Sequence, residues 1–204
     1  MKRIEVGTHK PNFIGCWDIE NKKLCNEIVS FFENNKELSK EGTTTLGKNI
    51  KAKKTTDITI TPKDLEKSKF EIFKKYFKEL HNCYMDYQKQ WPFVKSIFNT
   101  IDIGVFNIQK YNPGDHFSHL HCERTSLNSL HRLFAFMTYL NDVEDGGKTN
   151  FDYYGIKVKP EIGKTLIWPA EWTHAHTGEV LKSGTKYIVT GWLHFPVKET
   201  KEHE

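Results

Sequence analysis

The chain has 204 residues, of which 37% are hydrophobic and 27% are charged, an ordinary globular composition that is long enough to bury a sizeable core. This composition excludes collagen-like, coiled-coil and disordered proteins, and no run approaches the roughly 18 consecutive apolar residues of a membrane span. The net charge of +4 is too weak to indicate nucleic-acid binding unless it is clustered. We therefore expect a single domain, residues 1–204, without a membrane or nucleic-acid partner.

The first predicted elements are helices. Residues 21–34 carry apolar side chains close to a 3.6-residue period, which predicts an amphipathic helix. Residues 37–61 are rich in Lys, Thr and Gly, so we predict a mobile loop, with a short strand at 57–60 as an option. Thr61 followed by Pro62 is a helix start, and the apolar pattern after it predicts a second helix running towards Pro92.

The pattern of the second half of the chain predicts strands separated by turns. Apolar runs predict strands at 101–111, 133–140, 155–158, 165–168 and 187–195. Short strands at regular intervals are typical of a sandwich or barrel. We predict an α+β protein in which residues 1–98 form a mainly helical support and residues 99–197 form a double-stranded β-helix (jelly-roll) core.

The cysteines and the N-terminus bear on the compartment. The four cysteines are scattered without a Cys-x-x-Cys pair, and residues 1–5 contain no apolar signal region. Reduced thiols are typical of the cytosol. We therefore expect a cytoplasmic protein.

Histidines and one carboxylate suggest a metal site. On a strand, alternate residues face the same side, so His121 and Glu123 can both point at one ion, and His174 or His176 can complete the set from a distant segment. Two histidines and one carboxylate form the facial arrangement of non-heme Fe(II) oxygenases, which leaves positions open for chemistry. Spacing does not decide between His119 and His121, or between His174 and His176.

The region from residue 111 to residue 194 resembles the catalytic core of the 2-oxoglutarate- and Fe(II)-dependent dioxygenases, in particular the prolyl 4-hydroxylase branch. The combined spacing of short motifs carries this resemblance. These motifs are Tyr111-x-x-Gly114-x-x-Phe117, His121-x-Glu123, Tyr139-Leu140-Asn141-Asp142, Gly146-Gly147-Lys148-Thr149, Val158-x-Pro160-x-x-Gly163, His176-x-Gly178, Gly184-x-Lys186 and Trp192-x-His194.

The resemblance implies roles for nine residues. It selects His121, Glu123 and His176 as metal ligands, with Glu in place of the family's Asp. It implies that Tyr111, Thr149 and Lys186 bind 2-oxoglutarate, and that Arg132, Trp192 and His194 lie near the primary substrate. Strand parity also turns Lys186 inward, where a carboxylate would offset the cost of burying its charge.

The activity implied by the resemblance is hydroxylation of an aliphatic carbon, with a prolyl residue in a peptide or protein as the first expectation. Fe(II), 2-oxoglutarate and O2 are the implied cofactors, 2-oxoglutarate is decarboxylated to succinate and CO2, and ascorbate is left open as an auxiliary reductant. Free amino acids and other small molecules are alternative substrates.

Two other functions compete with this one. A nucleic-acid demethylase of the same superfamily would carry Arg where this chain has Lys186. A cupin-like module without catalysis would close a metal site with His119, His121, His174 and His176. The sequence leaves the oligomeric state open.

Overall fold

The computed structural model describes residues 1–7, 11–43, 47, 49–98 and 100–196. Within these ranges the strands form two antiparallel sheets. The larger sheet has the order β1-β2-β10-β7-β12-β5-β4-β3, with β1 at Lys2–Arg3, β2 at Gly15–Asp18, β3 at Lys40–Glu41, β4 at Thr56–Ile60, β5 at Asp102–Tyr111, β7 at Arg132–Tyr139, β10 at Lys164–Pro169 and β12 at Lys186–His194. The smaller sheet has the order β6-β11-β8-β9, with β6 at Phe117–His121, β8 at Thr149–Phe151, β9 at Ile156–Val158 and β11 at His176–Gly178.

The helices lie in the first half of the chain. They are α1 (Lys22–Glu33), α2 (Glu71–Gln90) and α3 (Pro92–Ile97). The Asn21 side chain caps α1 by accepting the Leu24 N–H at 3.2 Å. None of the described helices has the length and apolar content needed to cross a bilayer.

The second predicted helix starts later than its sequence signal. Thr61 forms the expected capping box with Asp64, but the cap begins a 3₁₀ turn over Pro62–Glu66. Lys67 is then extended, with a ψ of 137°, and regular α-helix begins at Glu71. A cap motif specifies that a helical turn begins, and the extended residue after it ends that turn before α2.

Strand β7 in the middle of the larger sheet is buried on both faces, which explains its nearly continuous apolar run. Phe134 and Phe136 pack towards the helices, whereas Ala135, Met137 and Tyr139 belong to a second core shared with the smaller sheet. Successive strand residues point to opposite faces, so both faces of this strand require apolar side chains. The predicted α+β class with a jelly-roll core and N-terminal helices is confirmed.

The segment predicted as a mobile loop contains paired backbone. Residues 44–46 and 48 of this segment, and residues 99 and 197 of the predicted domain bounds, lie outside the described residues. In the described remainder, β4 pairs with β5, and Lys54 exchanges backbone hydrogen bonds with His116 at 2.8 and 3.1 Å. Residues 54–60 therefore bridge the two sheets. The strand predicted as an option at residues 57–60 corresponds to β4, whereas Lys53 and Thr55 before it are buried polar residues and gave no apolar signal.

Candidate active site

Three side chains converge at one end of the smaller sheet. His121 ends β6 and His176 begins β11, and their Cα atoms are register partners. Glu123 Oε1 lies 3.8 Å from His121 Nε2 and 3.4 Å from His176 Nε2. One potential ligand atom from each residue lies within 4.8 Å of the others, and this is the one such group found among the described residues.

Glu123 reaches this group from outside the strand. His121 and Glu123 were predicted to lie on one strand. This prediction is wrong, because β6 ends at His121. The Glu123 N–H instead bonds the Ala170 carbonyl at 3.2 Å. The backbone of Glu123 therefore lies beyond the end of β6. Its side chain, one methylene longer than the Asp of the family, still reaches both imidazoles.

Backbone carbonyls orient both imidazoles. His121 Nδ1 lies 2.8 Å from the His119 carbonyl oxygen, and His176 Nδ1 lies 3.0 Å from the His174 carbonyl oxygen. A carbonyl can only accept, so each Nδ1 carries the proton and each Nε2 is left with a free lone pair. Both lone pairs are therefore available to a metal ion beside Glu123.

Burial and charge favour the protonation states that bind metals. Burial, together with the neighbouring His176, lowers the pKa of His121 to about 4. Burial alone would raise the pKa of Glu123, but the neighbouring imidazoles of His176 and His121 and the N–H that Trp192 donates outweigh burial and hold that pKa at about 2. At neutral pH the site therefore offers a neutral His121 and an anionic carboxylate, as metal binding requires.

Aromatic rings surround the imidazoles. Phe117 stacks on His121 with centroids 3.8 Å apart and an interplanar angle of 13°. Phe151 and Trp168 approach the His176 ring at 5.6 and 5.1 Å. These apolar walls limit water around the ligand atoms and hold the rings in place.

The other two candidate histidines do not join the group. His119 is exposed on β6. His174 is buried, but its Nε2 lies 2.9 Å from the Asn12 carbonyl oxygen. The described residues thus contain no closed four-histidine site, which removes the geometric basis of the cupin-like alternative.

Lys186 lies in the interior with one hydrogen-bond partner. It is 3% exposed, and its Nζ donates to the Gly147 carbonyl at 2.9 Å and lies 3.9 Å from the centroid of the Tyr111 ring. Burial lowers the pKa of Lys186 to about 7, and the charge of Glu179 opposes this only in part. A buried ammonium with unused donors fits an incoming carboxylate.

Thr149 follows Gly147, the partner of Lys186, by two residues, and its own hydroxyl proton meets a weak acceptor. Tyr139 Oη donates to Thr149 Oγ1 at 2.6 Å, so the threonine oxygen is already an acceptor. Among the described residues, the one acceptor found for the Thr149 proton is the Met137 sulfur, 4.0 Å from Oγ1. Tyr139 was not predicted as a site residue, because a tyrosine in an apolar strand is typical of a core position.

A polar network on the other side of Tyr111 was also missed. Tyr111 Oη donates to Gln109 Oε1 at 2.8 Å, and Gln109 Nε2 donates to Asp57 Oδ2 at 3.1 Å. Asp57 Oδ2 also accepts Lys53 Nζ at 2.6 Å. Lys53 lies in the predicted loop and Asp57 at the start of the optional strand 57–60, and only the period-two burial of residues 53, 55 and 57 identifies both as inward-facing.

Of the predicted substrate residues, two contact Glu123. Trp192 Nε1 donates to Glu123 Oε2 at 2.7 Å, and Arg132 Nη1 donates to the Glu123 backbone carbonyl at 3.0 Å. The Arg132 guanidinium stacks on the Trp192 ring at 3.6 Å. Trp192 therefore engages one carboxylate oxygen and leaves Oε1 facing the histidines.

The third predicted substrate residue, His194, is the register partner of Arg132 but forms no hydrogen bond or ion pair with Glu123. The centroids of the His194 and His131 rings lie 4.5 Å apart. The His194 ring fits against Gly104 because this residue has no side chain. Burial, together with the charges of His131 and Arg132, lowers the pKa of His194 to about 4. His194 Nε2 is buried without a hydrogen-bond partner among the described residues.

The donor set fits Fe(II) and a keto acid. Two imidazole nitrogens and one carboxylate oxygen match the facial ligand set of non-heme Fe(II) sites. The other side chains found against the imidazoles are aromatic rings, which do not bind the ion. The unpaired Lys186 ammonium and the Thr149 hydroxyl offer a second, anion-binding end. The site can thus hold a divalent ion at one end and a carboxylate at the other.

The fold and sequence were compared with known proteins. Residues 106–194 match the profile of the 2OG-Fe(II) oxygenase superfamily. The chain is 27% identical over 92 residues to prolyl 4-hydroxylase subunit alpha-2 of Gallus gallus, covering 42% of this chain and 17% of that protein. It is 29% identical over 114 residues to probable prolyl 4-hydroxylase 9 of Arabidopsis thaliana, covering 43% of this chain and 40% of that protein.

The chain thus spans less than half the length of these two curated relatives. Among solved structures, it is similar to a prolyl hydroxylase from Trichoplax adhaerens in complex with a peptide fragment of the hypoxia inducible factor oxygen degradation domain. The TM-score is 0.69 at 13% identity, covering 91% of this chain and 84% of that one. The resemblance predicted from sequence is confirmed: residues 106–194 match the 2OG-Fe(II) oxygenase superfamily and are similar to the prolyl 4-hydroxylases.

Proposed function

We propose that this protein is an Fe(II)- and 2-oxoglutarate-dependent dioxygenase that hydroxylates a prolyl residue in a peptide or protein. The observation that carries this proposal is that the core contains both the His121, Glu123 and His176 group and a buried Lys186. Lys186 forms no ion pair with any described residue. A structural metal site would not need a second, cationic end.

In this proposal the chain's residues position the reactants. His121 and His176 present Nε2 to the ion because their Nδ1 protons are held by backbone carbonyls. Glu123 supplies the anionic ligand, and Trp192 restrains its other oxygen. Ferrous iron, 2-oxoglutarate and O2 supply the oxidative chemistry when bound, with succinate and CO2 as products.

The far carboxylate of 2-oxoglutarate is assigned to Lys186 and Thr149, with the Tyr111 ring packed against the Lys186 ammonium. Lys186 supplies the charge, and Thr149 supplies the proton that Tyr139 leaves free. The interior position lowers the effective dielectric, which strengthens the pairing of ammonium with carboxylate.

The test is anaerobic addition of Fe(II) and 2-oxoglutarate, followed by a succinate assay with proline-containing peptides, free amino acids and methylated single-stranded DNA. We expect a weak visible charge-transfer band and succinate release that peptides stimulate. Stimulation by the DNA instead would favour a demethylase, and the absence of both band and succinate would contradict the proposal.

The keto-acid affinity should depend on pH through Lys186. Its pKa of about 7 means that the empty site is increasingly uncharged above pH 7, so binding the dianion there must take up a proton. We expect the Kd of 2-oxoglutarate for the Mn(II)-loaded protein to rise about tenfold per pH unit from pH 7 to 9. Calorimetry at pH 8 in buffers of different ionisation enthalpy measures the proton uptake. A Kd independent of pH would contradict this assignment.

An exposed aromatic pair at the metal end supports a peptide substrate. Tyr153 and Trp172 are 63% and 66% exposed, with ring centroids 6.2 Å apart and planes at 84°. They follow Phe151, which flanks the metal group, and precede His176. Aromatic surfaces of this kind bind proline-rich segments through their rigid, extended backbone.

Trp172→Ala should therefore raise the KM for a proline-containing peptide by about tenfold while leaving peptide-independent succinate formation unchanged. Steady-state kinetics with varied peptide measures the effect. Phe93→Ala is the matched control, because Phe93 is 74% exposed on α3. Equal effects of the two changes would contradict a docking role for Trp172.

A further inference from the structure

The hydroxyl of Tyr111 is held by a network that begins in the segment before β4. Lys53, Thr55 and Asp57 alternate with more exposed residues, and these three side chains are 5–7% exposed. Asp57 Oδ1 accepts Thr55 Oγ1 at 2.7 Å, and Oδ2 accepts Lys53 Nζ at 2.6 Å. The carboxylate of Asp57 is thus fixed from two sides by donors of its own segment.

This fixed carboxylate sets the amide orientation of Gln109. An ionised carboxylate only accepts hydrogen bonds, so the Gln109 side chain must turn its NH2 group to Asp57, at 3.1 Å. Its Oε1 then faces Tyr111 and accepts the hydroxyl proton at 2.8 Å. Gln109 is 5% exposed, so no solvent competes for either bond.

Tyr111 has a single hydroxyl proton, and it donates this proton to Gln109 Oε1. If Tyr111 donated to a carboxylate of the keto acid, Gln109 Oε1 would become a buried acceptor without a donor, which is costly. Thr149 is in the opposite state, because Tyr139 donates to it and its own proton stays available. The Tyr111 and Thr149 hydroxyls are therefore not equivalent as donors.

We propose that Gln109, oriented by Asp57, is a positioning residue that withholds the Tyr111 proton from 2-oxoglutarate. The carboxylate is then held by Lys186 and Thr149, and Tyr111 contributes its ring face beneath the Lys186 ammonium, at 3.9 Å. This inference rests on the proposed 2-oxoglutarate site and refines which groups bind the cosubstrate.

The test is calorimetric binding of 2-oxoglutarate to the Mn(II)-loaded wild type, Gln109→Leu, Tyr111→Phe and the double variant. We expect Tyr111→Phe to change the Kd by less than about threefold, because the hydroxyl does not serve the ligand. Gln109→Leu should lower the Kd by about tenfold, because the released proton can reach the carboxylate. The double variant should bind like Tyr111→Phe, since the effect of Gln109 passes through that hydroxyl.

A purely structural role of Gln109 would weaken binding and would add independently to the tyrosine change. A loss of more than about tenfold in Tyr111→Phe overturns the proposal, as does unchanged or weaker binding in Gln109→Leu with a native melting profile. If Gln109→Leu fails to fold, Tyr111→Phe still decides. A wild type that binds Mn(II) but no 2-oxoglutarate would overturn the proposed function itself, whereas binding with additive variants overturns only this inference.

Discussion

His176→Ala is expected to abolish 2-oxoglutarate turnover and to weaken metal binding by at least about 100-fold. Glu123 Oε1 lies 3.4 Å from His176 Nε2, so the substitution removes one of three convergent ligand atoms. Two remaining ligands cannot hold a divalent ion in competition with water at micromolar concentrations. Anaerobic Fe(II) calorimetry and a succinate assay measure the two effects separately.

His119→Ala is the matched control for this change, because the His119 side chain is exposed and its backbone carbonyl, which orients His121, is retained. His174→Ala should lower thermal stability through the lost contact with Asn12 and yet keep the metal. A harmless His176→Ala together with an inactivating His174→Ala would show that the ligand assignment is wrong.

Lys186→Met is expected to weaken 2-oxoglutarate binding by about 100-fold to 1,000-fold while metal affinity stays the same. Removing one partner of a buried charge pair costs about 2–5 kcal/mol, and the Lys186 side chain is only 3% exposed. Titration of the Mn(II)-loaded variant with 2-oxoglutarate measures this loss, and Lys182→Met, a change at an exposed lysine, is the control.

The same variant should not destabilise the ligand-free protein. Burial holds the pKa of Lys186 at about 7, below its ordinary value of 10.5, so the unfolded chain binds the proton more tightly. Stability of the wild type therefore rises with pH between about 7 and 10 through this group, and Lys186→Met should remove that dependence. Thermal melts over this pH range that are identical for both proteins would contradict the buried position of the ammonium.

Much of the fold follows from local patterns. The helix at Lys22–Glu33 and the strands β5, β7, β10 and β12 lie within a few residues of their predicted bounds, because long apolar periods and clear turn signals define them. Strands β8 and β11, of three residues each, were not predicted, whereas the equally short β9 was, because its apolar residues alternate between turn signals. The late start of α2 likewise depends on one extended residue, Lys67, which has no sequence signal.

The sequence alone singled out the His-x-Glu motif, the distant histidine and the Gly-x-Lys motif; the ligand atoms of the first two converge in the structure, and Lys186 of the third is buried. Only the tertiary structure decided how these groups are held. Glu123 approaches from beyond its strand, Trp192 restrains it from 69 positions away, and Gln109 meets Asp57 across 52 positions. Hydrogen bonds of this range depend on strand register and side-chain direction, which arise only when the sheets pair, and therefore no local pattern encodes them.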